Sequence, residues 1–156
     1  MSSTSPIVLR PARDEEHAAL TELCLRSKAI WGYGQAFMDH CRAELTLGPE
    51  DCGSPDLIVA ERNRTVVGLA EIAVDDQECQ LDKLFVDPDQ QTGGVGKQLL
   101  HWAADRAREL GQSEMIIESD PGAEGFYKRC GAIPAGTVPS GSIAGRTLPR
   151  LILPLA

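Results

Sequence analysis

A glycine-rich segment in the second half of the chain has the residue types that bind an anion. The segment Gly93–Gly96 follows an apolar, β-branched stretch and a break at Asp87-Pro88, and a helical pattern begins at the glycines. Glycines let backbone N–H groups approach an anion without obstruction by a Cβ atom. The first turn of a helix adds free N–H donors and the positive end of the helix dipole. The sequence therefore predicts a strand, a loop and a helix N-terminus that bind a phosphorylated ligand.

Two common nucleotide-binding patterns do not fit this segment. A P-loop requires G-x-x-x-x-G-K-[ST], but Gln91 stands at the first glycine position and Gln98 replaces the hydroxyl residue that binds Mg²⁺. A dinucleotide fingerprint requires G-x-G-x-x-G, but Leu99 stands at the third glycine position. The glycines therefore belong to a different phosphate-binding pattern.

Hydrophobic periodicity and turn residues predict the elements that position the glycine segment. We expect helices over Glu15–Ile30 (capped by Asp14), Gln35–Leu45, Gly94–Leu110 and Ala123–Cys130, and a loop over Gly48–Pro55. We expect strands over Ile7–Arg10, Leu57–Glu61, Thr65–Val74, Glu78–Val86, Met115–Glu118, Ile133–Val138 and Arg146–Leu155, with Asn63-Arg64 in a hairpin turn. This order predicts an α/β protein with a mixed sheet and helices on both faces.

Composition limits the class of protein. The 156 residues, with 42% hydrophobic and 24% charged residues, are typical of one globular domain, which we place over 1–156. The net charge of −8 argues against a nucleic-acid partner, and no apolar segment is long enough to span a membrane. The five cysteines are scattered and contain no C-x-x-C pair, so we expect reduced thiols, no metal site and a cytoplasmic protein.

A third pattern matches the glycine segment and extends beyond it. The strand end Leu84–Pro88 is followed by Q-x-x-G-x-G at Gln91–Gly96, and a second motif follows at Asp120–Ala132. In that second motif Ala123, Phe126, Tyr127 and Gly131 match the pattern Asn-x-x-Ala-x-x-Phe/Leu-Tyr-x-x-x-Gly-Phe, whereas Asp120 replaces Asn and Ala132 replaces Phe. Together these segments resemble the GCN5-related N-acetyltransferase (GNAT) superfamily over about a third of the chain.

The resemblance implies a fold and a cosubstrate. The fold is that of acyl-CoA N-acyltransferases, with a mostly antiparallel central sheet splayed at its fourth strand around a bulge. Acetyl-CoA would bind with its pyrophosphate on the N–H groups of Thr92–Lys97 and its pantetheine arm along Leu84–Val86. The residues implied in cofactor binding are Leu84, Phe85, Val86, Gln91, Thr92, Gly93, Gly94, Val95, Gly96, Lys97, Asp120, Ala123 and Phe126.

The resemblance also assigns a general acid. Tyr127 occupies the position that protonates the leaving thiolate in many members, although a tyrosine there could instead only pack its ring. Glu71 and Asp82 lie in otherwise apolar strands and are candidate bases, with Glu118 a third. Each could instead be a solvated strand residue, which is the more common case, and ordered water alone could accept the proton of the amine.

The sequence indicates less about the acceptor site than about the cofactor site. Trp31 and Tyr33 lie between the first two predicted helices, where the family builds its acceptor pocket, and could stack on a cation or pack in the core. The segment Pro139–Ser142 and Arg146 could form the opposite wall or an ordinary hairpin.

The resemblance implies transfer of an acetyl group to a primary amine of a small molecule in a ternary complex, and is compatible with a homodimer. A non-catalytic acyl-CoA sensor, or acetylation of a protein N-terminus or lysine, are the alternatives.

Overall fold

Seven strands form one sheet in the order β1-β2-β3-β4-β5-β7-β6. The computed structural model describes residues 5–30, 32–75, 78–90, 93–140 and 145–155. The strands are β1 (Val8–Arg10), β2 (Leu57–Arg62), β3 (Thr65–Val74), β4 (Cys79–Val86), β5 (Glu114–Glu118), β6 (Ile133–Pro139) and β7 (Thr147–Pro154). The helices are α1 (His17–Ala29), α2 (Gln35–Leu45), α3 (Pro49–Cys52), α4 (Val95–Glu109) and α5 (Glu124–Arg129). The prediction of a mixed, mostly antiparallel sheet with helices is confirmed.

The three consecutive strands β2, β3 and β4 form an antiparallel meander, as the sequence predicted. The turn between β2 and β3 contains Asn63 and Arg64, which have positive φ angles of 53° and 64°. Two consecutive left-handed residues are the geometry of a tight two-residue hairpin, which matches the twist of the flanking strands. Strand β4 pairs with β5 in parallel, with Gln80 opposite Ile116. This parallel pair follows the crossover through α4.

A bulge interrupts the pairing of β3 with β4. Glu71 faces Lys83 and the next residue, Ile72, faces Leu81, so Asp82 is an extra residue without a partner on β3. A bulge of this kind bends a strand and changes the direction in which its side chains point. It lies two residues before Leu84, the first residue predicted to bind the pantetheine arm.

Helices cover both faces of the sheet. On one face, α1 and α2 pack through Leu20, Cys24 and Cys41 against residues of β2, β3 and β4. On the other face, Val95 and Leu99 of α4 pack on β2 and β3, and the far end of α4 joins α5 over β4, β5 and β7. Burial of these apolar side chains on two faces is the main stabilising contribution to the fold.

Two local predictions were wrong. Asp14 does not cap the first helix; instead, a short 3₁₀ turn at Asp14–Glu16 precedes α1, and the Glu16 carboxylate accepts a hydrogen bond of 2.8 Å from the N–H of Arg13. The expected loop at Gly48–Pro55 contains the one-turn helix α3, which begins at Pro49. The reason is capping, because the Asp51 carboxylate accepts the N–H of Gly48 at 2.8 Å and proline suits the first helical position.

Within the described part of the chain, no helix combines the length and apolar character that crossing a membrane requires.

Candidate functional site

A first cavity, of about 450 Å³, lies between the N-terminus of α4, the end of β4 and α5. Its lining is mainly apolar side chains and glycine backbone. The lining residues are Ser27, Ile30, Leu84, Val86, Gly94, Gly96, Lys97, Gly122, Ala123, Gly125, Phe126, Tyr127 and Arg129. The glycine segment and the second sequence motif therefore meet at one cavity.

The glycines at the start of α4 have geometries that only glycine accommodates well. Gly93, which was predicted at the site but does not line the cavity, has a φ angle of 82°. Gly94, which lines the cavity and is the N-cap of α4, has a φ angle of 77°. A Cβ atom added at Gly96 would lie 3.3 Å from Cζ of Phe126, so the backbone of α4 and the ring of α5 are in close contact. The result is a helix N-terminus whose backbone N–H groups stay accessible from the cavity.

Two cationic side chains line the same cavity. Lys97 was predicted from the motif, and it lies in the first turn of α4. Arg129, at the end of α5, was missed, although its position two residues after Tyr127 in a motif already assigned to this site was a usable signal. Both side chains are exposed and can approach an anionic group at the mouth of the cavity.

The end of β4 divides its side chains between the two faces of the sheet. Leu84 and Val86 line the first cavity, whereas Phe85 packs on the cluster formed by α1 and α2. Val95, also predicted at the site, is fully buried in the core beneath α4 and does not line the first cavity.

Tyr127 lies where the first cavity meets a second one. Leu84, Ala123 and Tyr127 line both cavities. The Tyr127 side chain is 7% exposed, its ring makes an edge contact of 5.1 Å with Phe126, and no described residue forms a hydrogen bond with its hydroxyl. Burial raises the pKa of Tyr127, and the nearby charge of Asp120 raises it further. The hydroxyl is therefore protonated at neutral pH and available as a donor.

The second cavity, of about 250 Å³, is polar. It lies between α1, α2, β4, the end of β5 and the start of β7. The charged residues in its lining are Lys28, Glu44, Asp82, Lys83, Glu118, Asp120 and Arg146. Apolar residues of β4, with Cys41 and Leu45 of α2, complete the wall nearest the core.

A buried lysine joins two of the predicted bases. Nζ of Lys83 lies 3.1 Å from Oε1 of Glu71 and 3.2 Å from Oδ2 of Asp82. Burial alone would lower the pKa of Lys83, but the charges of Asp82 and Glu71 raise it, so Lys83 is an ammonium. Burial raises the pKa of the Glu71 carboxyl against the opposing charge of Lys83. Asp82 lines the second cavity, whereas Glu71 contacts Lys83 from outside the lining.

A second ion-pair network closes the other side of this cavity. The Asp120 carboxylate accepts a hydrogen bond of 2.7 Å from the Tyr33 hydroxyl and one of 3.2 Å from Lys28. The Arg146 guanidinium donates to the Tyr33 oxygen at 2.6 Å and lies 3.6 Å from the same carboxylate. The network links α1, the segment before α2, the end of β5 and the start of β7. Arg146 lines the second cavity, and Tyr33 contacts its lining residues Asp120 and Arg146 from outside the lining. A role of Tyr33 in acceptor binding stays a prediction.

Asp120 does not lie at the cavity where its predicted role in cofactor binding would place it. It lines the second cavity and not the first, and its carboxylate is held by Tyr33 and Lys28. Its role in cofactor binding stays a prediction.

Trp31, Gln91 and Thr92 were also predicted at the site and lie outside the described residues. Lys28 was missed, because a single lysine in a helix gives no sequence signal of a pocket.

No group of three His, Cys, Asp or Glu side chains in the described ranges could hold a metal ion.

Comparison with known proteins agrees with this architecture. The PaiA N-acetyltransferase of Thermoplasma acidophilum, solved with coenzyme A, superimposes with a TM-score of 0.74 at 17% identity, over 96% of this chain and 99% of that chain. YncA of Salmonella typhimurium, solved with acetyl-CoA, superimposes with a TM-score of 0.69 at 22% identity, over 96% of this chain and 94% of that chain. At these identities the likeness concerns the fold.

Sequence comparison gives a closer relation over a shorter segment. An IAA acetyltransferase of Azospirillum brasilense is 36% identical over 69 residues, which are 42% of this chain. The match spans 45% of the length of that relative. The model of the acetyltransferase (GNAT) family matches residues 13–132, well over half of the chain. This chain belongs to the GNAT acetyltransferase family.

Proposed function

We propose that this chain is an acetyl-CoA-dependent N-acetyltransferase that acetylates the primary amine of a small molecule by direct transfer in a ternary complex. The observation that carries the proposal is the position of Tyr127, which lines both cavities and whose hydroxyl has no hydrogen-bond partner among the described residues. A proton donor at this junction suits a reaction between a ligand in the first cavity and a ligand in the second.

The first cavity fits coenzyme A. Its pyrophosphate requires N–H donors without Cβ obstruction, and Gly94 and Gly96 at the start of α4 supply them. Lys97 and Arg129 add positive charge at the same cavity. Acetyl-CoA would supply the activated acetyl group as a thioester. The presence of coenzyme A or acetyl-CoA in the structures of PaiA and YncA supports this assignment.

The pantetheine arm would lie along the end of β4. Leu84 and Val86 present their side chains to the first cavity, and the bulge at Asp82 bends the strand just before them. We expect β4 to diverge from β5 here, which would leave backbone groups free to pair with the peptide-like arm. A backbone N–H at this point would also stabilise the negative oxygen of the transition state.

The chemistry is a nucleophilic substitution at the acetyl carbonyl. The neutral amine nitrogen forms a bond to the carbonyl carbon, and the carbon–sulfur bond breaks. Tyr127 donates its proton to the sulfur, and the amine nitrogen loses one proton to water or to a carboxylate. The raised pKa of Tyr127 keeps the hydroxyl protonated at neutral pH before the reaction.

Asp82 is the better placed of the candidate bases. Its side chain lines the second cavity and is 46% exposed, so it can contact an amine directly or through water. Glu71 would act on the amine only through Lys83, to which its carboxylate is bound. Glu118 also lines the cavity, at the end of β5.

The test is thiol release from acetyl-CoA across a panel of small amines, with acetyl-CoA binding measured separately by calorimetry. We expect turnover with at least one amine and loss of most of it in Tyr127→Phe. Binding of acetyl-CoA without turnover on any amine would support a non-catalytic acyl-CoA sensor instead. Intact-mass analysis of mixed peptides would detect acetylation of an N-terminus or lysine.

A further inference from the structure

We infer that the acceptor amine also carries a carboxylate, which binds Lys28 and Arg146 in the second cavity, so that the acceptor resembles an amino acid. The inference depends on the proposed function, because it names the class of acceptor for the same site.

The first argument is the charge balance of the network around Asp120. Among the described residues, Asp120 is the one carboxylate within ion-pair distance of either Lys28 or Arg146. All three side chains are largely buried, with 15%, 20% and 13% of their surfaces exposed. Two cations thus share one anion in a poorly solvated place, which leaves an excess of one positive charge. A ligand carboxylate would neutralise it.

The second argument is that these cations are held in place before a ligand arrives. Tyr33 and Phe37 stack with their ring centroids 4.1 Å apart. Cζ of Arg146 lies 5.0 Å from the Tyr33 centroid and 4.8 Å from that of Phe37, and Nζ of Lys28 lies 5.7 Å from the Tyr33 centroid. The Tyr33 hydroxyl also accepts a hydrogen bond from Arg146. A guanidinium held by contacts with two stacked rings and by a hydrogen bond to a hydroxyl loses little entropy when it binds a carboxylate.

The third argument is that carboxylates occupy other parts of the lining. Asp82, Glu44 and Glu118 contribute negative charge, and Lys83 is already neutralised by Glu71. The lining therefore offers both a carboxylate site and sites for an ammonium, as an amino acid requires. The volume of about 250 Å³ is below the ~300–1,000 Å³ of pockets for drug-sized ligands, so a small acceptor fits best.

The experiment compares matched amines that differ only in the carboxylate. Glycine, leucine, methionine and glutamate are each tested beside their α-amides and beside the amines in which hydrogen replaces the α-carboxylate. Two readouts are taken: kcat/KM for thiol release from acetyl-CoA, and calorimetric binding of each amine to the protein saturated with coenzyme A. We expect at least one amino acid to exceed both of its partners by about 10- to 100-fold, the range for a charge-assisted hydrogen bond to a bound carboxylate.

Three variants assign the preference to the cations. Arg146→Met and Lys28→Met should each raise the KM of the preferred amino acid by about 10-fold or more and reduce its advantage over the amide. Arg42→Met is the matched control, since Arg42 is an exposed cation paired with Glu22 and lies outside both cavities. It should keep the full preference.

The outcomes separate this inference from the proposed function. Amino-acid binding that depends on Arg146, without acetyl transfer, would support the inference and contradict the enzyme. Turnover or binding that favours the amides or the plain amines would overturn the inference and leave the enzyme intact. A carboxylate preference that survives in both Arg146→Met and Lys28→Met would also overturn it.

Discussion

The two cavities that meet at Tyr127 are built in different ways. The first is made largely by backbone and apolar side chains from two short segments, the end of β4 with the start of α4 and the region around α5. The second is made by charged side chains whose hydrogen bonds connect residues 87, 92 and 113 positions apart in the chain. Under the proposed function, the first would bind coenzyme A and the second the acceptor amine.

This difference shows where specificity can change at low cost to the fold. Replacing a glycine of the first cavity alters backbone geometry at the start of α4, a helix packed on the central strands. Replacing Lys28 or Arg146 alters a network at the edge of the fold, outside the three apolar clusters. Substitutions in each cavity should therefore have separable effects.

The largest effect is expected for Gly94→Val. The variant forces a β-branched residue to φ 77° and places its side chain beside the first cavity, so the N–H groups of α4 are no longer accessible. Loss of two charge-assisted hydrogen bonds to phosphate would weaken acetyl-CoA binding by about 100-fold or more, as measured by calorimetry. Gly111→Val is the matched control, because Gly111 has φ 82° and also has open space around its Cβ position, but lies at the other end of α4. Normal acetyl-CoA affinity in Gly94→Val would contradict the assignment of the cavity.

The next effect compares Tyr127, which lines both cavities, with Tyr33, which contacts the lining residues Asp120 and Arg146 of the second cavity. Tyr127→Phe should lower kcat by about 10²–10⁴-fold and leave acetyl-CoA affinity unchanged, because only the proton donor is removed. Tyr33→Phe should instead raise the KM of the amine, because its hydroxyl positions Asp120 and Arg146. Steady-state kinetics for both substrates distinguishes the two. Equal loss of kcat in both variants would remove the distinction between the cavities.

A third prediction concerns the carboxylates around Lys83. Glu71→Gln should lower the free energy of unfolding by about 1–3 kcal/mol, because it removes the more buried of the two partners of a buried ammonium. Asp82→Asn should cost less than about 1 kcal/mol, since the Asp82 side chain is 46% exposed. Urea unfolding measures both. If Asp82→Asn is the more destabilising change, Asp82 is a structural residue and a weak candidate base.

The smallest effect is a difference in alkaline stability. Burial raises the pKa of Tyr127, so above about pH 10 the unfolded chain ionises this tyrosine first and the folded state loses stability as pH rises. The contribution of Tyr127 is fully present below pH 10, and its loss has a slope of at most about 1.4 kcal/mol per pH unit. Tyr127→Phe should therefore lose less stability than the wild type between pH 9 and 11 in urea titrations. The same slope in both proteins would contradict burial of the hydroxyl.

Tyr33 provides an internal control for that measurement. Burial and its hydrogen bond to Asp120 raise the pKa of Tyr33 to about 12, which affects the wild type and Tyr127→Phe alike. The difference between the two curves thus isolates Tyr127.

The sequence predicted the fold and several residues of the first cavity because these features are encoded locally. The hairpin at Asn63-Arg64, the antiparallel meander and the glycines before α4 each depend on residues within one short segment. The predictions of an Asp14 cap and of a loop before β2 were wrong because several polar side chains lie near the free N–H groups there, and the sequence does not show which one binds them. In the structure, the carboxylates of Glu16 and Asp51 accept these N–H groups.

The second cavity could be predicted only in part. Tyr33 was proposed from its place between the first two helices, and Arg146 was proposed as part of an opposite wall, with an ordinary hairpin as the alternative. Their partner Lys28 and the orientation of the Asp120 side chain depend on the packing of distant elements. Likewise, the ordering of Glu71 and Asp82 follows from which side chain faces the cavity, and that is decided by the bulge. Charge pairs across the fold leave no periodic trace in the sequence.

The extra residue in β4 has one more consequence. Before it, Cys79 and Leu81 point towards α4; after it, Leu84 and Val86 do, although an uninterrupted strand would have kept the odd-numbered residues on that face. Asp82 therefore shifts by one residue the alternation of side chains between the two faces of the sheet. Without that shift, Leu84 and Val86 would turn to α1, and Lys83 and Phe85 would fill the space of the first cavity. One inserted residue lets a single strand serve two compartments of opposite polarity.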